Sequence, residues 1–250
     1  MYACLQNAGS NHIRYQNMPE AAKAEEEQRI ASLVEAQTKA HQLFDDIARE
    51  LIRPGVTEKE LGKEIYDLGE RKHGIKTHWH KRVVRSGVNT LQPYAENPPD
   101  REIQADDILF VDLGPVFEAW EADFGRTYVL GDDPVKKKLR DDLETTWKAV
   151  KAEFDADPEM TGHDLYVAAG RAARAAGWEF GGQIAGHLIG SFPHERIPKD
   201  RIALYITEGN HERMRTLGKD GHPRHWILEI HLVDRERQIG GFYEQLLTVD

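Results

Sequence analysis

The chain has 250 residues, 40% hydrophobic and 30% charged, with a formal net charge of −10; this is enough chain for a full core, and no basic patch offsets the acidity, which excludes a nucleic-acid partner. A lone cysteine, Cys4, excludes an intrachain disulfide and suits a reducing compartment. No apolar run is long enough to span a bilayer and the first residues lack the basic start and apolar segment of a secretory signal, so no membrane partner and a cytoplasmic location are the default expectations.

Residues 1–18 are polar and aperiodic and are expected to be disordered or loosely docked, which leaves 19–250 as a single domain. From Pro19 to Arg53 the apolar residues Ile30, Leu33, Val34, Ala40, Leu43, Phe44, Ile47 and Leu51 recur at three- and four-residue steps, the pattern of an amphipathic helix, and Pro54-Gly55 stops it. Thr57 and Glu60 spell a capping box for a second helix that runs to about His73, with Gly74 as its stop. His78-Trp79-His80 is expected on an extended strand with both histidines on one side, a spacing compatible with metal binding although solvated strand histidines are commoner.

Ile108 to Leu113 and Glu118 to Leu130 read as two strands separated by Gly114-Pro115. Each carries an aspartate in an apolar, β-prone run, Asp112 and Asp123, eleven residues apart. Either one alone could decorate a turn. Pairing of the strands would bring them face to face, and a hard divalent cation between them relieves the repulsion that two close, buried carboxylates suffer. Lys136-Lys137-Lys138 opens the next helix and reads as a solvated face. Helices are expected at Lys137 to Phe154 and at Gly162 to Ala176, the latter capped by Thr161 with Asp164 at N3. Gly181 to Gly190 is glycine-rich but lacks the strand-then-helix context of a phosphate loop, and Arg224 to Val249 reads as β-rich.

Glu229 and Glu244 sit inside apolar strands as the two aspartates do, where a lone glutamate would be an expensive buried charge. His187 stands in Gly186-His187-Leu188-Ile189-Gly190, where nothing large is expected to crowd its ring. Four carboxylates and one imidazole form an oxygen-rich set that suits two divalent ions of the manganese, cobalt, iron or zinc type better than a thiolate-bound structural zinc. Their charges balance two dications, and a bridging water would then ionise near neutral pH.

With these residues in order, the sequence resembles the metallopeptidases of family M24, the pita-bread-fold group that includes methionine aminopeptidase, aminopeptidase P, prolidase and creatinase. The family's ligands run Asp, Asp, His, Glu, Glu with the first two eleven positions apart, as Asp112, Asp123, His187, Glu229 and Glu244 do. A second histidine follows seven residues after the ligand histidine with Glu and then Pro after it, and Pro193-His194-Glu195-Arg196-Ile197-Pro198 reproduces this; Pro54-Gly55-Val56-Thr57-Glu58 resembles the family's entry to its second helix. The resemblance implies an α/β (α+β) pita-bread fold, a curved antiparallel sheet flanked by helices with pseudo-two-fold symmetry. It implies that Asp112 chelates a first ion, that Asp123 and Glu244 bridge, and that His187 and Glu229 hold a second. A metal-bridging hydroxide would be the nucleophile, Glu229 the proton shuttle and His194 a hydrogen-bond donor to the scissile carbonyl.

The chain departs from that pattern in three places. The family carries another histidine about seventeen residues before the first aspartate, where this chain reads Leu91-Gln92-Pro93-Tyr94-Ala95; Tyr94 could supply a substrate contact there, and His78 or His80 could reach in instead, although their spacing differs from the family's. Phe242 takes the place of the prolidase branch's arginine, and only fifteen residues separate Glu229 from Glu244. The separate N-terminal domain of prolidase and creatinase is expected to be absent. The resemblance therefore points first to a dimetal aminopeptidase or dipeptidase acting on a small peptide or small-molecule amide, with a homodimer compatible. Two alternatives stand beside it: creatinase-like hydrolysis or lysis of a small molecule, and a catalytically silent peptide-binding module.

Overall fold

The structure, a computed structural model, describes residues 19–193, 202–218 and 221–249. The expectation of disorder for residues 1–18 falls outside these, as does His194. Helix α1 (Glu20–Glu50) buries Leu33, Ala40, Leu43, Phe44 and Ile47 of the expected stripe together with Ala36, while Ile30 and Val34 are half-buried and Leu51, also half-buried, caps its end. Helix α2 (Glu58–His73) starts at the expected capping box, Thr57 with Glu60, and ends on Gly74 in the left-handed region at φ +66°. Helix α3 (Pro134–Ala156) has Asp133 as its cap and proline in its first turn, and α4 (Gly162–Ala175) has the Thr161–Asp164 capping box.

The strands are β1 (Val83–Ser86), β2 (Ile108–Leu113), β3 (Val116–Phe117), β4 (Trp120–Glu121), β5 (Phe124–Val129), β6 (Glu179–Phe180), β7 (Leu188–Ile189), β8 (His225–Asp234) and β9 (Ile239–Leu246). The main sheet has the order β1-β2-β5-β9-β8-β6, with β7 on β8, and its strand pairs are antiparallel. The chain between Glu118 and Leu130 is not one strand as expected. Trp120–Glu121 pairs back on Val116–Phe117 as a separate small hairpin, and the backbone re-enters the main sheet only at Phe124. His78-Trp79-His80 is not a strand either; it holds a single isolated bridge, His78 to Pro115.

The core divides along the middle of the sheet. Residues of α1, α2, β2 and β5 form one apolar cluster with Val84 of β1, and residues of α3, α4, β8 and β9 form another. Each half thus places a helix pair against its strands, and burial of the two apolar faces is the dominant stabilising term. The halves meet where β5 and β9 share a single register pair, Gly125 with Glu244. Side chains supply the bonding along the rest of this seam. Thr127 Oγ1 donates to the Phe242 carbonyl at 2.8 Å and accepts from the Phe242 amide at 2.7 Å. Arg126, stacked between the rings of Phe124 and Tyr243, donates to the Glu244 carbonyl at 2.9 Å. Thr127→Val keeps the shape and strands both Phe242 backbone groups, so it is expected to lower stability by about 2 kcal/mol. Urea denaturation measures this, and an unchanged midpoint would remove Thr127 from the seam.

Candidate metal centre

The sheet register runs one line of residues across four strands: Asp112 on β2 lies opposite Gly125 on β5, Gly125 opposite Glu244 on β9, and Glu244 opposite Glu229 on β8. Residues directly opposite one another in an antiparallel sheet share a face, so three carboxylates project together. Gly125 holds the middle of the line because a side chain does not fit there; a Cβ would stand 2.6 Å from Phe242 Cδ1 and 3.2 Å from Glu244 Cβ. Asp123, two residues earlier, enters the space beside it. The two aspartates are therefore diagonal across the pair rather than face to face, because Asp123 sits in the break before β5.

His187 comes from the other half. Its carbonyl accepts from the Ile227 amide at 2.9 Å, which lays the residue along β8. Gly186 makes that approach possible: its φ is +137° and a Cβ there would stand 2.0 Å from the Ile227 carbonyl oxygen. His187 Nε2 lies 2.8 Å from Asp123 Oδ2, 3.6 Å from Glu229 Oε1 and 3.9 Å from Glu244 Oε1. Its ring is not uncrowded, as the flanking glycines suggest, since the Trp79 ring packs edge-on against it at 5.1 Å. All five predicted donors thus converge on one cavity of about 1050 Å³.

A sixth group joins them, one of the two histidines that the sequence offers at a spacing unlike the family's. His80 Nε2 lies 3.1 Å from Asp123 Oδ1 and 3.5 Å from Asp112 Oδ1. Counting residues back from Asp112 misses it, because the chain reaches the site through the irregular turn at 77–80 rather than through the segment around Tyr94. His78 goes elsewhere and packs beside Tyr66, ring centroids 6.2 Å apart. Tyr94 stands half exposed on the cavity rim, 5.7 Å from the His80 ring. Phe242, in the position of the expected arginine, forms an aromatic wall with Phe110 at 5.4 Å and His231 at 6.1 Å. His231 donates from Nε2 to the Thr90 carbonyl at 2.8 Å, and burial holds its pKa below the usual range.

The electrostatics follow from burial of like charges. Burial, with Asp123 adding to it, raises Asp112 to about 7 against the pull of His80. Burial raises Glu229 to about 8. Glu244 is pushed well above its ordinary value by burial and by Asp123, Asp112 and Glu229. Asp123 is the exception to the uniform rise that mutual repulsion predicts: burial acts upward, but His80 and the hydrogen bond from His187 bring it down to about 2. Burial acts downward on the two imidazoles, and the carboxylates outweigh it, raising each to about 9.

The donor set fits divalent cations. Asp112 Oδ1 and Glu244 Oε2 are buried, and among the described residues neither has a hydrogen-bond partner. Buried carboxylate oxygens are costly in that state, and a cation satisfies them. The ligand atoms group in two sets, His80–Asp112–Asp123 and Asp123–His187–Glu244, each within 4.8 Å and sharing Asp123.

The sequence matches the model of metallopeptidase family M24 over residues 31–217. It is 31% identical to an Xaa-Pro dipeptidase of Lactobacillus delbrueckii subsp. lactis over 152 residues, 60% of this chain and 40% of that protein. The chain therefore spans less than half the length of that relative. It is 25% identical to methionine aminopeptidase A of Synechocystis over 193 residues, 74% of this chain and 73% of the other. The X-Pro aminopeptidase of Thermotoga maritima superposes with a TM-score of 0.69 at 21% identity, covering 96% of this chain and 65% of that one.

Proposed function

Because the chain belongs to metallopeptidase family M24 and has the pita-bread fold, we propose that it is a dimetal aminopeptidase or dipeptidase acting on small peptides, those with proline after the scissile bond foremost. Its catalytic unit is read as residues 19–250 and its setting as the cytoplasm; no described helix is long and apolar enough to cross a membrane. The observation that carries the reading is the convergence of Asp112, Asp123, His187, Glu229 and Glu244, with two of their buried oxygens lacking a hydrogen-bond partner among the described residues. These five would hold two divalent ions of the manganese, cobalt, iron or zinc type. The ions would supply an activated water and polarise the scissile carbonyl.

The chain's own groups then handle protons and position. Glu229, whose side chain is the most open of the four carboxylates at 14% exposure, takes the proton of the attacking water and passes it to the leaving amine nitrogen. The wall of Phe110, Phe242 and neutral His231 gives the substrate an apolar surface. His194, placed by the family motif alone, donates to the carbonyl oxygen as charge develops on it; His194→Ala is expected to keep its metal and lose about 10²–10³-fold in kcat, read by metal content and turnover together. Tyr94 borders the substrate at the rim.

Turnover of Xaa-Pro dipeptides, non-proline dipeptides, N-terminal methionyl peptides and a creatine-like amide by chelator-stripped protein, reloaded with each metal in turn, tests the proposal. Metal-dependent hydrolysis of the Xaa-Pro substrates supports it. No peptide hydrolysis with any metal would overturn it.

A further inference from the structure

We propose that His80 is a sixth protein ligand, so that each of the two ions receives its own imidazole: His80 with Asp112 and Asp123 for one, His187 with Asp123 and Glu244 for the other. This rests on the dimetal reading and departs from its carried-over ligand set, which gives the first ion no nitrogen donor.

Three observations carry it. The first is geometry: His80 Nε2 stands 3.1 Å from Asp123 Oδ1 and 3.5 Å from Asp112 Oδ1, its side chain is 7% exposed, and that Asp112 oxygen is the one with no hydrogen-bond partner among the described residues. The second is the tautomer. His80 Nδ1 lies 2.7 Å from the carbonyl of the next residue, Lys81, and His187 Nδ1 lies 2.8 Å from the carbonyl of its next residue, Leu188. A carbonyl only accepts, so Nδ1 carries the hydrogen in both rings, and Nε2 has a lone pair for a cation once its proton leaves. That is how backbone groups orient metal-binding imidazoles, and the two rings have it in the same form.

The third is the room made for the ring. Gly114 follows the ligand strand β2, and a Cβ on it would stand 2.1 Å from His80 Cδ2 and 2.4 Å from Trp79 Nε1. Trp79 is fixed in turn, its amide donating to the Gly114 carbonyl at 2.9 Å and its indole N–H to the Ala122 carbonyl at 3.1 Å. The turn is thereby tied at both ends of the aspartate pair, which holds the backbone of His80 beside the carboxylates. A nitrogen donor in both positions moves the preference from manganese toward zinc, cobalt or iron, which imidazole suits better.

The test is a titration of stripped protein with cobalt(II), followed by calorimetry and visible absorption, on wild type, His80→Gln and His187→Gln. Wild type is expected to take up two equivalents. Each variant is expected to bind one equivalent as before and the other at least about 100-fold more weakly, with different d–d spectra because different ions are lost. A second variant guards against misfolding: His80→Cys in a Cys4→Ser background should give a thiolate-to-cobalt charge-transfer band in the near ultraviolet. Two undiminished equivalents in folded His80→Gln, or no such band in folded His80→Cys, would refute the assignment while leaving the dimetal reading intact. A wild type that binds fewer than two equivalents would overturn both.

Discussion

Asp123→Asn is expected to abolish turnover, by at least about 10³-fold, and to reduce bound metal from two ions to fewer than one at concentrations that saturate the wild type. Asp123 belongs to both candidate ligand groups, so an ion in either one leans on it. An amide has one acceptor oxygen and no charge, and it cannot bridge two dications as a carboxylate does. In the metal-free protein the same carboxylate accepts from His187 Nε2 at 2.8 Å and lies 3.1 Å from His80 Nε2. Its removal leaves two buried imidazolium groups with one acceptor fewer, so metal-free Asp123→Asn should also unfold earlier than wild type at neutral pH. Metal content by elemental analysis, turnover and thermal unfolding on one preparation measure all three effects. Retention of two ions would exclude Asp123 as the bridge.

The second large effect is on metal-free stability. His80 and His187 have pKa values raised from 6.5 to about 9, Asp112 from 3.8 to about 7 and Glu229 from 4.5 to about 8, and Glu244 is raised too. A group whose folded pKa exceeds its unfolded value contributes stability that is fully present below the unfolded value and lost as pH rises through the folded one. All five act in the same direction, so raising the pH from about 6 to 9 removes stability. Asp123, held down at about 2, contributes in the opposite sense, but only below its unfolded value of 3.8. The metal-free protein is expected to lose about 10 °C or more in melting temperature across that window. Metal must displace the same protons, so its affinity rises with pH and saturating metal should flatten the decline. A melting temperature independent of pH without metal would contradict the crowded-carboxylate description.

Much of this site was legible in the chain because its parts obey local rules. Asp112, Glu229 and Glu244 are polar residues in runs that otherwise demand burial, and such residues mark a site wherever the fold takes them. The capping boxes at Thr57 and Thr161 and the stop at Gly74 are set by neighbours within a few residues, and they appear where expected. What failed depends on non-local geometry. The break at Ala122–Asp123, which makes the aspartates diagonal, exists because Trp120–Glu121 turns back onto Val116–Phe117. The spacing of His80 from Asp112 says nothing of a turn that crosses over Gly114. The glycine beside His187 suggests room for a ring, yet it is needed for the backbone, at φ +137° against the Ile227 carbonyl.

The measurement that bears most directly on the central claim is anomalous diffraction from crystals of stripped protein soaked in manganese or cobalt, recorded on both sides of the metal absorption edge. The account predicts two anomalous peaks per chain inside the cluster of Asp112, Asp123, His187, Glu229 and Glu244, with Asp123 between them. A single peak, or metal bound elsewhere with these carboxylates still unoccupied, would contradict it.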